Sequence, residues 1–289
     1  MEKQDVYEIL SLLGYPCSNG VIIRLQREED DTPYDVWRIE SPGKTLILKK
    51  TTPQEQAVYE AFFVHECKFV PKVYAFGKYQ GDPYMLMEYV EGKTLSNSTR
   101  QKLILVLDAL VATQKQFWGN TELTQVGCSF ESRCGALEKR TAYMDDLAEP
   151  YKAFLEEYCR VPRTLCNDDL LPFNVLADED RAVILDWEMG GILPYPSAIA
   201  RFLAFVEETP DALFYMTMED RDFVVSYYYD KLIQSKGISW EEYLRTLCLF
   251  FFKEYSEWVY LGRSSGDTDG VYYQKYYIKA KRLAKELGF

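Results

Sequence analysis

The chain has 289 residues, 47% of them hydrophobic and 27% charged, with a formal net charge of -12, enough to bury a substantial core as one large domain or two lobes. A duplex-binding protein would carry a basic face, so nucleic acid is excluded as the expected partner. No apolar run approaches the roughly 20 residues that span a bilayer and "MEKQDVYEIL" has no signal-peptide core, which predicts a cytoplasmic protein with no membrane partner. The seven cysteines, with no CxxC pair, argue against a disulfide framework or a zinc site, and the one histidine argues against a multi-histidine metal centre. Any chemistry falls to carboxylates.

In chain order, "GVIIRLQRE", "DVWRIES" and "GKTLILKK" are short alternating or β-branched runs separated by "EDDTP" and "SPG", and they predict an antiparallel meander. "TPQEQAVYEAFFVHE" follows with helical spacing at Val58, Phe62 and His65, Thr52 as N-cap, Pro53 in the first turn and Glu55 at the capping-box position. "FVPKVYAFGKY" and "PYMLMEYVEGKTL" read as two further strands, the second running into a connector at Glu91, Gly92 and Lys93. Beyond it the period turns helical in "TRQKLILVLDALVATQKQFW", "MDDLAEPYKAFLEEYCRV" and "WEEYLRTLCLFFFKEYSEWVYLG". Between these, "NVLAD" and "RAVILDWE" flank the turn "DED" and predict a small hairpin. The expected architecture is α+β, with a β-rich lobe over residues 1–90 and a helical lobe over 91–289.

The segment "LCNDDLLPFNVL" sets two aspartates before a proline and an asparagine, and "VILDWE" follows the hairpin. Asp169, Asn174 and Asp186 thus form Asp-x4-Asn, hairpin, Asp-x-Glu. Asp169 on a loop can accept the proton of a substrate hydroxyl, while the Asn174 amide oxygen and the Asp186 carboxylate are hard ligands that can converge on magnesium. Pro172 keeps the loop out of helix, so that Asp169 and Asn174 can point to one place. As the base, Asp169 is expected to stand free of structural ion pairs.

This segment closely resembles the catalytic segment of the aminoglycoside phosphotransferase and choline kinase superfamily. The resemblance implies a two-lobed protein-kinase-like fold and phosphoryl transfer from ATP, with Mg2+, to a hydroxyl of a small molecule. In that family the loop opens with a histidine, a small or polar residue and the catalytic aspartate, which match Asn167, Asp168 and Asp169. Asn174 and Asp186 fall on its metal-ligand positions, and Glu188 completes its "DWE". Lys49, ending "TLILK", matches the lysine on the α and β phosphates, and Glu55 its helix partner. Lys50 and Glu60 compete, because a one-residue register slip exchanges strand faces. "LMEYVEG" resembles the hinge, where Glu88 and Val90 would offer backbone groups to adenine and Met87 or Tyr89 would pack on it.

Three positions depart from the family: Asn167 in place of histidine, a first hairpin without the glycines of a protein-kinase phosphate loop, and Ala198 where an aspartate often precedes an "LARF"-like helix. Asn167 and Ala198 motivate a second reading as a catalytically weak or inactive nucleotide-binding or scaffolding relative. Residues 120–200 hold 15 acidic and 7 basic groups, a field suited to a cationic acceptor such as an amino sugar or choline. On the late helix Glu254, Tyr255 and Trp258, with Phe251, share one side at helical spacing, an acidic and aromatic strip able to hold an ammonium group.

Overall fold

A computed structural model describes residues 2–17, 19–26, 32–65, 67–95, 98–209, 212 and 214–289. The tip of the first hairpin, where the glycine-poor phosphate loop was expected, falls at residues 27–31, outside the described residues.

The first lobe is a five-stranded antiparallel sheet of β1 (Val21–Gln26), β2 (Pro33–Ser41), β3 (Lys44–Lys50), β4 (Val73–Tyr79) and β5 (Asp82–Glu88), in the order β1-β2-β3-β5-β4. Two helices accompany it. α1 (Lys3–Leu12), which the strand-rich reading of this lobe did not anticipate, buries Val6, Ile9 and Leu10 against Trp37, Ile39, Leu46, Leu48, Tyr84 and Leu86 on one face of the sheet. α2 (Pro53–Phe62) joins the opposite face, which presents Met85 and Met87, and buries Val58, Tyr59 and Phe62. Alternation along β3 and β5 sorts every residue between these two faces, because neighbours on a strand point to opposite sides.

Thr52 caps α2 by accepting the Glu55 N–H at 3.1 Å. The second half of the capping box does not form, since the Glu55 carboxylate turns to the sheet instead. The connector after β5 leads to β6 (Lys93–Thr94), which pairs with the hairpin of the second lobe, Lys93 opposite Ala177. Gly92 sits at φ +150° with the Ala177 backbone 3.2 Å from where a Cβ would be, so any side chain there would be strained.

The second lobe contains α3 (Arg100–Phe117), α4 (Phe130–Arg140), α5 (Ala148–Tyr158), β7 (Arg163–Asn167), the expected hairpin of β8 (Val175–Ala177) and β9 (Ala182–Ile184), β10 (Gly190–Pro194), α6 (Pro196–Ala204), α7 (Met218–Tyr228), α8 (Trp240–Ser265) and α9 (Val271–Leu287). β10 pairs antiparallel with β7, Gly190 opposite Asn167, and so delivers α6 beside the end of β7. α8 runs through the core of this lobe, its Phe250 and Phe252 rings meeting Tyr158 and Phe154 of α5. One continuous apolar core joins both lobes: Val58, Tyr59, Phe62, Met85 and Met87 belong to the same cluster as Leu103, Leu165 and Trp187. The architecture is the two-lobed, kinase-like α+β fold. No helix of the described residues is long and apolar enough to cross a membrane.

Candidate active site

β7 is buried along most of its length and ends at Asn167, Asp168 stays buried, and the chain reaches the cleft at Asp169. The turn that follows is held by its own backbone: the Leu171 N–H donates to the Asp169 carbonyl at 2.8 Å, and the Asn174 N–H to the Leu171 carbonyl at 2.8 Å. Pro172 opens a single helical turn over Pro172–Asn174, and the Asn174 amide nitrogen donates to the Asp169 carbonyl at 2.8 Å and to Asp169 Oδ2 at 3.3 Å. The hairpin then closes the distance to the third site residue. Val175 pairs with Ile184 and the Leu185 N–H donates to the Asn174 carbonyl at 2.8 Å, which sets Asn174 beside the step into Asp186. Asp186 itself turns out of β9 at φ 53°, a left-handed conformation that is costly for a residue with a side chain and recurs at functional sites.

Asn167 takes over loop organisation where a histidine was expected. Its amide nitrogen donates to the carbonyls of Leu185 and Asp186 at 3.1 and 2.9 Å, and its oxygen accepts the Asp169 N–H at 3.0 Å. One buried amide thereby couples the aspartate loop to the Asp186 turn. Ala198 is fully buried in α6, and the residue of that helix that reaches the loop is Arg201, three positions on.

The two lysines fall on opposite faces of β3. Lys49 shares its face with Ile47 and points into the cleft, where Nζ donates to Glu55 Oε1 at 2.7 Å and to Asp186 Oδ1 at 2.9 Å. Lys50 pairs with Asp82 at 2.7 Å on an exposed edge, and Glu60 is exposed on α2. Burial acts to lower the Lys49 pKa, but Glu55 and Asp186 more than offset it and hold the ammonium charged. Burial pushes the Glu55 carboxyl up against the pull of Lys49, as expected of a carboxylate that is 1% exposed. If Lys49 serves the nucleotide phosphates, Lys49→Ala should chiefly weaken productive ATP binding, seen as a smaller ATP-induced thermal shift, while Lys50→Ala leaves that shift as in the wild type.

The two aspartates have different surroundings. The Asp168 side chain is 0% exposed and paired with Lys253 Nζ at 2.6 Å and with Arg133. Burial alone would raise its pKa, yet Arg133 and Lys253 hold it well below the usual carboxylate range. The Asp169 side chain is 32% exposed at the cleft. Burial raises its pKa while Arg201 opposes. The expectation that Asp169 would be free of ion pairs is overturned: Arg201 donates to its Oδ1 from Nε at 3.1 Å and from Nη2 at 2.8 Å. α6 follows β10 directly, and that pairing brings the guanidinium to the loop.

The late-helix strip also differs from expectation. Glu254 is fully buried, its oxygens taken by Arg201 Nη1 at 2.9 Å and Lys253 Nζ at 2.9 Å, so it presents no carboxylate to a ligand. Tyr255 is buried with Lys279 over its ring at 5.3 Å, and Trp258 is half-buried against Tyr272 and Tyr276. The cation facing the Tyr255 ring thus belongs to the chain, and the Trp258 ring is stacked on tyrosines. At the hinge, the Glu88 N–H is already donated to the Lys72 carbonyl at 2.8 Å and its carboxylate holds Arg181 at 2.8 Å, so that N–H is closed to adenine. Val90 stands half-buried in the connector, Met87 is buried in the core and Arg38 covers the Tyr89 ring.

Arg133, Arg201 and Lys253 escaped the sequence reading. The one available signal was Lys253 inside "LFFFKEYSEW", since a lysine amid core spacing is retained only with a partner. Among the described residues no group of three or more histidine, cysteine, aspartate or glutamate side chains could hold a metal. A set of one carboxylate, Asp186, and one amide, Asn174, instead suits magnesium, which keeps waters and takes phosphate oxygens as further ligands.

The model of the phosphotransferase enzyme family matches residues 29–231, more than half of the chain. Amicoumacin kinase, solved with AMP-PNP, Ca2+ and its ligand, superposes with a TM-score of 0.65 at 14% identity over 99% of this chain and 93% of that one. Choline kinase from Cryptosporidium parvum superposes at 0.63 with 11% identity over 99% and 96%, and an aminoglycoside-3'-phosphotransferase of type VIII at 0.57 with 18% identity over 86% and 98%. No curated protein matches the chain by sequence. At these identities the superpositions speak for the fold, and the profile match for the family: the chain belongs to the phosphotransferase enzyme family and is a small-molecule kinase.

Proposed function

We propose that the protein transfers the γ-phosphoryl group of ATP, with Mg2+, to a hydroxyl of a small molecule, the nucleotide lying under residues 1–90 and the acceptor on residues 91–289. The observation that carries this reading is the convergence of Lys49, Glu55 and Asp186 across the two lobes, next to the Asn174–Asp169 turn. Lys49 is the cation for the α and β phosphates and Glu55 holds it in place. Asp186, its side chain 44% exposed, and the Asn174 amide oxygen would hold magnesium, which neutralises phosphate charge. Asp169 receives the acceptor's proton, and the backbone of Val90 with the Glu88 carbonyl would meet adenine. Two fold neighbours solved with AMP-PNP or ADP support a nucleotide in this cleft.

The acceptor is a small cationic alcohol on the basis of lobe charge: residues 120–200 carry 15 acidic and 7 basic groups, an excess of 8. The neutralised Glu254 does not contribute to it. The test is thermal shift with ATP or GTP, with and without magnesium, followed by ADP release across amino alcohols, amino sugars and neutral sugars. ATP should stabilise the protein only with magnesium, and Asp186→Ala should erase that dependence. Turnover of neutral sugars ahead of the amines would remove the cationic acceptor, and nucleotide binding without turnover of any alcohol would favour the scaffolding reading.

A further inference from the structure

We infer that Arg201 is a positioning residue for the phosphoryl transfer, a fork that aims the Asp169 carboxylate and is itself aimed by Glu254 and Glu257; this rests on the role given to Asp169 above. Both Nε and Nη2 of Arg201 bind the same oxygen, Asp169 Oδ1, at 3.1 and 2.8 Å. That leaves Oδ2, touched by the longer 3.3 Å contact from Asn174, to face an acceptor hydroxyl. The far side of the guanidinium is held just as firmly. Nη1 donates to Glu254 Oε2 at 2.9 Å and to Glu257 Oε2 at 3.2 Å, and the guanidinium lies over the Phe205 ring at 5.2 Å.

Those two glutamates are in turn fixed. Glu254 Oε1 accepts from Lys253 Nζ at 2.9 Å, the same nitrogen that binds Asp168 Oδ1 at 2.6 Å, and Glu257 Oε1 accepts from Arg140 at 2.9 Å. Asp168, Lys253, Glu254, Arg201 and Asp169 therefore form a ring of charge-assisted bonds that closes through the peptide bond between the two aspartates. With Arg133, Arg140 and Glu257 the cluster holds four carboxylates and four cations. Charge neutrality needs only a cation at position 201, which lysine would supply. Aiming one carboxylate oxygen while gripping two glutamates needs the planar fork of arginine, with donors on both edges. A misplacement of a reacting group by about 1 Å can cost roughly a hundredfold in rate.

The experiment compares wild type, Asp169→Asn, Arg201→Lys and Arg201→Ala in Mg·ATP, with water standing in for the acceptor hydroxyl and ADP release as the readout. Arg201→Lys should fold, keep its KM for ATP and lose roughly a hundredfold in kcat. Arg201→Ala should lose at least as much and regain part of it on adding methylguanidinium, to which the lysine variant does not respond. If Arg201→Ala fails to fold, Arg201→Lys decides alone. Turnover of Arg201→Lys at the wild-type rate, or a loss expressed in the KM for ATP instead of kcat, would show a structural charge only and overturn the inference while leaving the role of Asp169 intact. If wild type and Asp169→Asn release ADP equally, the reading of Asp169 falls and this inference with it.

Discussion

Replacing Asp169 by asparagine will lower turnover by about 10²–10⁴-fold, the range lost when a general base is removed, while the protein still folds and binds Mg·ATP. The amide keeps the shape, so it can still lie beside Arg201 and the Asn174 turn. It cannot take a proton. Steady-state kinetics on whichever alcohol the acceptor panel returns, run beside an ATP thermal shift, checks both halves. Equal turnover in the mutant would remove Asp169 from the chemistry. A protein that no longer folds would mean that its pairing with Arg201 is chiefly structural.

The neighbouring aspartate should behave in the opposite way. Asp168→Ala removes the carboxylate that Arg133 and Lys253 share, so that Lys253 keeps Glu254 but the buried Arg133 loses its ion-pair partner, and breaking a buried pair from one side costs about 3–5 kcal/mol. The expected result is a large fall in the denaturation midpoint, whatever the effect on rate. Asp168 also gives a signed pH dependence. Its folded pKa is depressed to about 2, below the unfolded value of about 4. Its contribution to stability is therefore fully present above pH ~4 and is lost as the pH falls toward ~2. Unfolding curves between pH 5 and 2 should show the wild type losing stability more steeply than Asp168→Asn. Parallel curves would mean that Asp168 is not held ionised by its neighbours.

The contrast between these two residues shows how far the chain could be read as a string. Both are Asp in "CNDD", and residue type by itself says nothing of how different their surroundings are. Burial and the position of α4 and α8 separate them, with Arg133 and Lys253 reaching one and the open cleft the other. The same holds for Lys49 and Lys50. Strand alternation makes their faces opposite, but which face is the cleft depends on α1 covering the Leu46 and Leu48 side, and α1 is legible only in the helical spacing of Val6, Ile9, Leu10 and Leu13, a signal that the strand-like runs after it outweigh.

What the sequence determined by itself was local and periodic: the antiparallel meander, the Thr52-capped helix, the hairpin between "NVLAD" and "RAVILDWE", the two-lobed class, and the spacing of Asp169, Asn174 and Asp186 that led to the family. Turn residues and a period of 2 or 3.6 act over a few positions, so they survive in the string. The tertiary structure alone decided where charge is spent. Glu254 lies at helical spacing with Tyr255 and Trp258, which defines one side of α8 but not what that side meets. Arg201, 53 residues away, and Asp168, 85 residues from Lys253, arrive there only because β10 pairs with β7 and carries α6 onto α8. Whether a carboxylate faces a ligand or a buried guanidinium depends on such contacts between elements distant in sequence, and no local pattern of residues encodes them.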